Sequence, residues 1–532
     1  MSAATLPLPA DVPERTVPAL VAGWARRQPN RLALVAQSPT AGEARLTWAQ
    51  LGHAMRRVAG NLAHAGVRPG DHVGVLLSNA AGREAVLTLL GLGRVGAVGV
   101  LLSPRMALPE LADAVQRTDC RALVTADESV ALIAGLAAAG TLPPLLFAAG
   151  DTGQQGAVWE DLLASCPSPP EWADDRTVFD IILTSGTTGR PKAVMLSHAN
   201  AVAAGLATAR GLGLRETDVM QTALPMTSSG GFHVCVLGIL AAGGTAVISP
   251  PFDAEGEFAR IAREWTSVYV AVPSMYAFLL DRHDPKRHDT GSLRLMDFGA
   301  APMAAETIKR LRLAFPAIEL RQNYGMTESG PVGTYMSGRD MDRKLGSVGK
   351  PELCKARVVG EDGQDVPEGD AGELWLRGPG VMVGYYGDEA ATEAATAGGW
   401  LRTGDVVSRD ADGFLWHLDR KKDVIKRGGY SIASMEVENA LLRHPDVLEA
   451  AVVGVSHPKL GEDVFAFVVP RTGAPRPDAA SVGEVCRGMI ADYKVPRRIA
   501  VVDELPRSPA GKILKTALRQ DAARLLAEED AR

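Results

Sequence analysis

Cysteine is scarce in this chain of 532 residues: Cys120, Cys166, Cys235, Cys354 and Cys486 are scattered, with no CxxC pair and no histidine at ligand spacing. That excludes a disulfide scaffold and a spaced-ligand zinc site, and it fits a reducing cytoplasm, the location expected. No apolar run is long and clean enough to cross a bilayer. The longest, 86–103, is broken by Arg94 and several glycines and reads as a buried helix running into a strand, so stable membrane insertion is not expected. Neither sign of charge is in marked excess. A net charge of -6 without a basic stripe gives no pull towards polyanions, which removes nucleic acid from the expected partners. Residues 1–13 lack the basic segment and apolar core of a secretion signal and are expected to form a loose arm.

What is present is an ordinary globular composition, 46% hydrophobic and 22% charged, in a chain longer than one hydrophobic core usually serves. Short apolar runs alternate with amphipathic stretches: 32–36, then a helical pattern over 51–65, then a strand over 72–77, with similar strands at 245–249, 268–272 and 293–298. This alternation predicts layered α/β architecture. After about Gly372 the texture changes to glycine- and aromatic-rich short strands (374–376, 384–386, 414–416), which predicts a small antiparallel sheet or barrel. The charged run 419–423 then marks a boundary. The fold class expected is a large α/β N-terminal domain over 1–419, carrying the barrel-like subdomain, and a small mobile α+β C-terminal domain over 420–532, hinged near 420–423.

The most informative segment is Thr184-Ser185-Gly186-Thr187-Thr188-Gly189-Arg190-Pro191-Lys192, which follows the apolar run 179–183. A strand opening into such a loop lets backbone N–H groups converge on an anion, while hydroxyls and one lysine add donors and charge. The inventory suits a polyphosphate. Its spacing is not GxxxxGK[ST], so a conventional P-loop enzyme is disfavoured.

Further segments stand in order along the chain: Gly299-Ala300-Ala301-Pro302, Asn323-Tyr324-Gly325-Met326-Thr327-Glu328, 372–378, Gly399-Trp400-Leu401-Arg402-Thr403-Gly404-Asp405, 419–423, and Pro506-Arg507-Ser508-Pro509-Ala510-Gly511-Lys512. Together they resemble the adenylate-forming superfamily of acyl-CoA synthetases, peptide-synthetase adenylation domains and luciferases, over nearly the whole chain. The resemblance implies an ATP-dependent acid–thiol ligase that forms an acyl-adenylate and passes the acyl group to coenzyme A. It implies ATP, Mg²⁺ and coenzyme A, with a small carboxylic acid as the other partner. A homodimer, a carrier protein as acceptor and an upstream adenylating partner stay open, as does a nucleotide-binding regulator without turnover.

Roles follow from the resemblance. Thr184, Ser185, Gly186, Thr187, Thr188, Gly189 and Lys192 would hold the phosphates. Tyr324 offers a ring to adenine, beside Gly299, Ala300, Ala301, Asn323 and Gly325, although a core aromatic is the plainer reading. Thr327 would donate to a phosphate oxygen, and Glu328 supplies a hard carboxylate for Mg²⁺. Asp405 and Arg420 would take the ribose hydroxyls, Lys422 falls at the hinge, and Gly428 and Gly429 resemble the pantetheine tunnel or are simply a turn. Lys512 would deliver a cation to the reacting carboxylate and α-phosphate, where a surface lysine is otherwise the default.

Two departures stand out. Ala193 follows Lys192 where glycine is usual, and Ser228 stands where the family commonly has histidine after Leu224-Pro225-Met226. With Gly230, Phe298 and Met326, Ser228 is expected in the acyl pocket, with Phe298 adding bulk. These departures motivate an alternative in which the enzyme only thioesterifies acyl-adenylate made elsewhere.

Overall fold

The structure, a computed structural model, describes residues 4–151, 156–167, 172, 174–184, 191–301, 303, 305–471, 473–507 and 513–530. Two large mixed sheets form the N-terminal part. In the first, nine strands run in the order Lys350–Pro351, Thr334–Met336, Glu319–Tyr324, Leu295–Phe298, Val268–Ala271, Val219–Thr222, Thr245–Ile248, Leu32–Ser38 and Gly42–Thr47. Its interior is parallel, which explains why those strands read as unbroken apolar runs: both faces are covered. The second sheet runs Gly384–Tyr385, Lys192–Ser197, Val178–Thr184, Val98–Leu102, His72–Leu76, Cys120–Ala126, Leu145–Ala149 and Ala157–Val158. Its first three strands pair antiparallel.

Helix boundaries follow local chemistry. The helix expected over 51–65 spans Trp48–His64 and starts earlier because Thr47 and Gln50 form a capping box. The run 86–103 is a helix, Gly82–Val95, stopped by Gly96 in the left-handed region and followed by the strand Val98–Leu102.

Beyond residue 350 the short strands Lys355–Val359, Gly372–Arg377, Leu401–Arg409 and Leu415–Arg420 form a four-stranded antiparallel sheet. The strand Leu415–Arg420 runs through the expected boundary and places Arg420 opposite Asp405. The C-terminal part is a five-stranded sheet whose long hairpin, Val447–His457 with Gly461–Pro470, feeds two layers. Val452 packs with Val437, Leu441 and Val482, whereas Val453 packs with Phe467, Leu518 and Ala522. Alternate residues of one strand thus bury helices on opposite faces. Between the two parts Asp419 accepts bonds from the Ser434 backbone N–H and hydroxyl. Arg443 reaches Glu306 at 3.6 Å, and Arg471 reaches Asp281 at 3.8 Å.

One expectation fails. The N-terminal arm is not loose: Ala4, Leu8 and Val12 are buried, the Leu6 N–H donates to the Gly378 carbonyl at 3.1 Å, and the Thr5 hydroxyl donates to the Val381 carbonyl at 3.0 Å. Its apolar residues at every fourth position find a groove that composition does not reveal.

Each of the two large sheets carries a buried acid within one of its strands. Asp180, in the strand Val178–Thr184, accepts a 2.6 Å bond from the His233 ring, and both side chains are fully buried. Breaking such a pair leaves an uncompensated buried polar group. His233→Leu is expected to cost about 3–5 kcal/mol in denaturant unfolding, and Asp180→Val added to it should recover most of the loss.

The second acid, Asp297, accepts from the Asn323 amide. Burial, only partly offset by that bond and by Arg321, pushes its carboxyl up to about 8. The neighbouring Cys235, Tyr276 and Tyr335 are themselves raised by burial and stay neutral over the same range. Because the folded state keeps a proton that the unfolded chain gives up near pH 4, this group lowers stability as pH rises, by about 1.4 kcal/mol per unit, until the folded value is reached. Asp297→Asn should flatten the fall in stability between pH 5 and 8, measured by chemical denaturation at each pH.

Candidate active site

The segment Asn323–Glu328 leaves the end of a parallel strand, next to the loop 299–301 that leaves its neighbour Leu295–Phe298. Loops at the carboxyl ends of parallel strands form the crevice in which such sheets bind ligands. The close approach of these two loops fixes residue type. A Cβ on Gly299 would stand 2.2 Å from Asn323 Oδ1, and one on Gly325 would stand 2.4 Å from the Pro331 carbonyl, so neither position has room for a side chain. Ala300 sits at φ 64, a strained conformation for a residue with a Cβ, and both Ala300 and Ala301 are exposed.

At one end of Asn323–Glu328 the half-buried Tyr324 donates to Asp405 Oδ2 at 2.5 Å. Asp405 also accepts from Arg420 Nε at 2.9 Å and lies 3.6 Å from His417 Nε2. Burial alone would raise this carboxyl, but the nearby His417 ring and the charge of Arg420 outweigh it and hold it at about 2. Asp405 is therefore an anion at any physiological pH. Burial and that same anion push the Tyr324 phenol above its usual range, so it remains a donor. Beside the pair opens a cavity of about 300 Å³ lined by Thr403, Gly404, Arg420, Lys421 and Lys422.

At the other end Thr327 and Glu328 form a single 3₁₀ turn closed by Gly330 in the left-handed region. The Thr327 hydroxyl is 3.0 Å from that of Ser229, and Glu328 Oε1 accepts from the Tyr385 hydroxyl at 3.1 Å. The Lys192 ammonium lies 4.5 Å from the centroid of the same tyrosine ring. Lys192 starts its strand opposite Thr184, so the loop between them is closed by an antiparallel register. Among the described residues no three His, Cys, Asp or Glu side chains gather as a metal cage. A single carboxylate beside a hydroxyl fits Mg²⁺, which takes one or two protein oxygens and fills its shell with phosphates and water.

The remaining expected positions fall differently. Ser228 does not offer its hydroxyl to a ligand: it donates to the Pro225 carbonyl at 2.7 Å and accepts from the Gly231 N–H at 3.1 Å. It caps the π-helical segment Gly230–Leu237, an unusual element of the kind that often accompanies functional sites. Phe298 was expected to add bulk to the acyl pocket, but its ring is fully buried in the core against Tyr276, leaving no surface for a ligand. Gly230 is half-exposed with space around it, and Met326 packs on the main core at the base of the turn. Lys422 is exposed on the turn after Arg420. Gly428 and Gly429 turn a hairpin at φ 57 and 89, exposed, and a Cβ on Gly429 would meet nothing within 4 Å. They are not gathered with the other residues. Ser185, Gly186, Thr187, Thr188, Gly189 and Lys512 lie outside the described residues.

Sequence reasoning missed Tyr385, Ser229, His417 and Asn79. The last is buried, donates to the Leu224 and Ser249 carbonyls and accepts from the Met226 N–H, so it pins the turn that leads to Ser228. A lone Asn before a helix gives no signal of that reach.

Comparison with known proteins agrees with this arrangement. A family model for AMP-binding enzymes matches residues 21–386, and one for the AMP-binding enzyme C-terminal domain matches 436–512. Indoleacetate–CoA ligase of Aromatoleum aromaticum is 36% identical over 487 residues, 90% of this chain and 94% of that protein. Feruloyl-CoA synthase of an Amycolatopsis species is 36% identical over 492 residues, with 90% and 94% covered. The crystal structure of the anthranilate CoA ligase AuaEII in complex with anthranoyl-AMP matches with a TM-score of 0.88 at 27% identity, over 99% of this chain and 100% of that one. With clusters of polar groups at its strand ends and both family models matched in order, the chain belongs to the AMP-binding enzymes.

Proposed function

We propose that this protein is an ATP-dependent, AMP-forming acyl-CoA ligase acting on an aromatic carboxylic acid. One observation carries the reading. The segment Asn323–Glu328 has the Tyr324–Asp405–Arg420 cluster at one end and the Glu328–Tyr385–Lys192 cluster at the other, an anion-and-hydroxyl end suited to ribose and a cation-bearing end suited to polyphosphate. Asp405, ionised at all working pH values, accepts the two ribose hydroxyls, while Arg420 limits its repulsion of the phosphates.

In the first half-reaction a carboxylate oxygen of the acid attacks the α-phosphorus, the bond to the β-phosphate oxygen breaks, and pyrophosphate leaves with the electron pair. Negative charge gathers on the phosphates, which is where Lys192, Thr327 and Lys512 stabilise it. When bound, Mg²⁺ neutralises phosphate charge beside Glu328. In the second half-reaction the thiol of coenzyme A attacks the acyl carbonyl carbon and AMP departs. Gly428 and Gly429 would line the thiol's path only after the C-terminal domain, residues 420–532, has turned about Lys422. The two half-reactions need opposite sides of the same acyl group, so one arrangement cannot serve both.

The choice of an aromatic acid is supported by the names of the two relatives and of the structural neighbour. It is supported too by the burial of Phe298 in the core and by the small size of Ser228, Ser229 and Gly230, which would leave room for a ring if they line the acyl pocket.

The test is a panel of acids (arylacetic, hydroxycinnamic, aminobenzoic, medium-chain aliphatic and sulfonated) assayed for acid-dependent ATP–pyrophosphate exchange and for CoA thioester. Exchange and thioester with aryl acids are expected. Exchange with none would overturn the reaction class, and turnover of aliphatic or sulfonated acids alone would overturn the substrate class. Lys512→Ala is expected to slow adenylation roughly a hundredfold, by the worth of other preorganised charge-stabilising groups. Thioester formation from supplied acyl-adenylate should persist in that variant, read by single-turnover assays of each half-reaction.

A further inference from the structure

Tyr385 lies far along the chain from the phosphate loop, in a two-residue strand with no catalytic signature, yet it touches both charged side chains of the polyphosphate end. The strand Gly384–Tyr385 adds to the sheet edge formed by Lys192–Ser197, with Tyr385 opposite Val194 and the Tyr386 N–H donating to the Ala193 carbonyl at 2.8 Å. On its other side the Tyr385 N–H donates to the Thr392 hydroxyl at 2.8 Å. Held on both sides, the backbone leaves the side chain little freedom, and Tyr385 is 7% exposed.

The ring meets two opposite charges in two different ways. Its hydroxyl donates to Glu328 Oε1 at 3.1 Å, and its face lies beneath the Lys192 ammonium at 4.5 Å. Burial, with Glu328 close by, pushes the phenol above its usual range, so the proton stays on the oxygen and the donor is permanent. Were Lys192 and Glu328 to close on each other, each would neutralise the charge that the other needs to present. A cation over a ring face keeps its full charge and its hydration on the open side, whereas a salt bridge would spend it. A carboxylate bonded through one oxygen keeps the second for a hard cation; Glu328 Oε2 has no hydrogen bond among the described residues.

We propose that Tyr385 is a positioning residue that keeps Lys192 and Glu328 apart and aimed at the polyphosphate: its hydroxyl orients the Glu328 carboxylate towards Mg²⁺, and its ring carries the Lys192 ammonium towards the phosphates. The proposal rests on the ligase reading above, through the roles assigned there to Glu328 and Lys192.

The two parts of the ring separate the two effects. Tyr385→Phe deletes the hydroxyl and keeps the ring; Tyr385→Leu deletes both. The measurements are ATP binding by calorimetry, with Mg²⁺ and in EDTA, and the Mg²⁺ concentration that gives half-maximal ATP–pyrophosphate exchange. Thermal unfolding midpoints verify that each variant is folded. For Tyr385→Phe the expected result is roughly a tenfold higher Mg²⁺ requirement, the worth of a hydrogen bond to a charged group, with metal-free ATP affinity unchanged. For Tyr385→Leu, metal-free ATP affinity should fall as well. A Tyr385→Phe enzyme with wild-type Mg²⁺ dependence overturns the proposal, and so does one that loses metal-free and Mg²⁺-dependent affinity equally. Absence of exchange by the unaltered protein with every acid strikes the ligase reading instead, and the calorimetric comparison still judges Tyr385.

Discussion

Thr184 opposite Lys192 is the pairing on which the site depends. A segment that is to face a polyphosphate needs its flanking residues placed, since they aim the donors and charges that it presents. Here the two strands that bound it, Val178–Thr184 and Lys192–Ser197, are zipped antiparallel, so its two ends are held side by side in a fixed register. The lysine is thus the first residue of a paired strand, Lys192–Ser197. A third strand, Gly384–Tyr385, extends the same register and brings a ring under that lysine. Antiparallel strands at the rim of an otherwise parallel sheet are a common arrangement, and this site uses the rim.

The other sheet contributes by a different rule. The strands Leu295–Phe298 and Glu319–Tyr324 run parallel in adjacent positions, with Phe298 opposite Gln322, so the chain leaves both at the same edge. Gly299 and Asn323 then collide unless one of them is glycine, and the strain at Ala300 is the local cost of making the turn so tight. Each sheet also holds a buried acid, Asp297 in this one and Asp180 in the other, each tied to a side chain of a different element. Asp297 ties two neighbouring strands of one sheet, and Asp180 ties its strand to the π-helical segment Gly230–Leu237.

How much of this was readable beforehand divides along physical lines. Strand and helix positions were legible because their periods are local: the runs at 32–36, 72–77 and 179–183 all became strands, and the small C-terminal α+β unit emerged where its helical and alternating patterns lay. The gathering of Tyr324, Asp405 and Arg420 was anticipated only through resemblance, since nothing near Asp405 distinguishes it from a turn residue. What stayed hidden depends on pairing across distance. Tyr385 belongs to a site only because its strand docks beside Lys192, Ser229 only because its hydroxyl meets Thr327, and Phe298 turns inward because Tyr276 is there to receive it. Ser228 shows the converse: a substitution that suggested altered chemistry has its hydroxyl fully occupied by its own backbone.

The ion pairs between the C-terminal part and the body, Arg443 with Glu306 and Arg471 with Asp281, are stretched to 3.6 and 3.8 Å, past the reach of a hydrogen bond. Attraction of that kind depends on distance far more than on angle, so it holds two surfaces together without fixing a geometry for the pair. It is also screened by dissolved ions over about 8–10 Å at ordinary ionic strength. Beside the directional bonds of Ser434 to Asp419 these contacts act at longer range, and the surrounding electrolyte becomes one of the things that sets how strongly the two parts adhere.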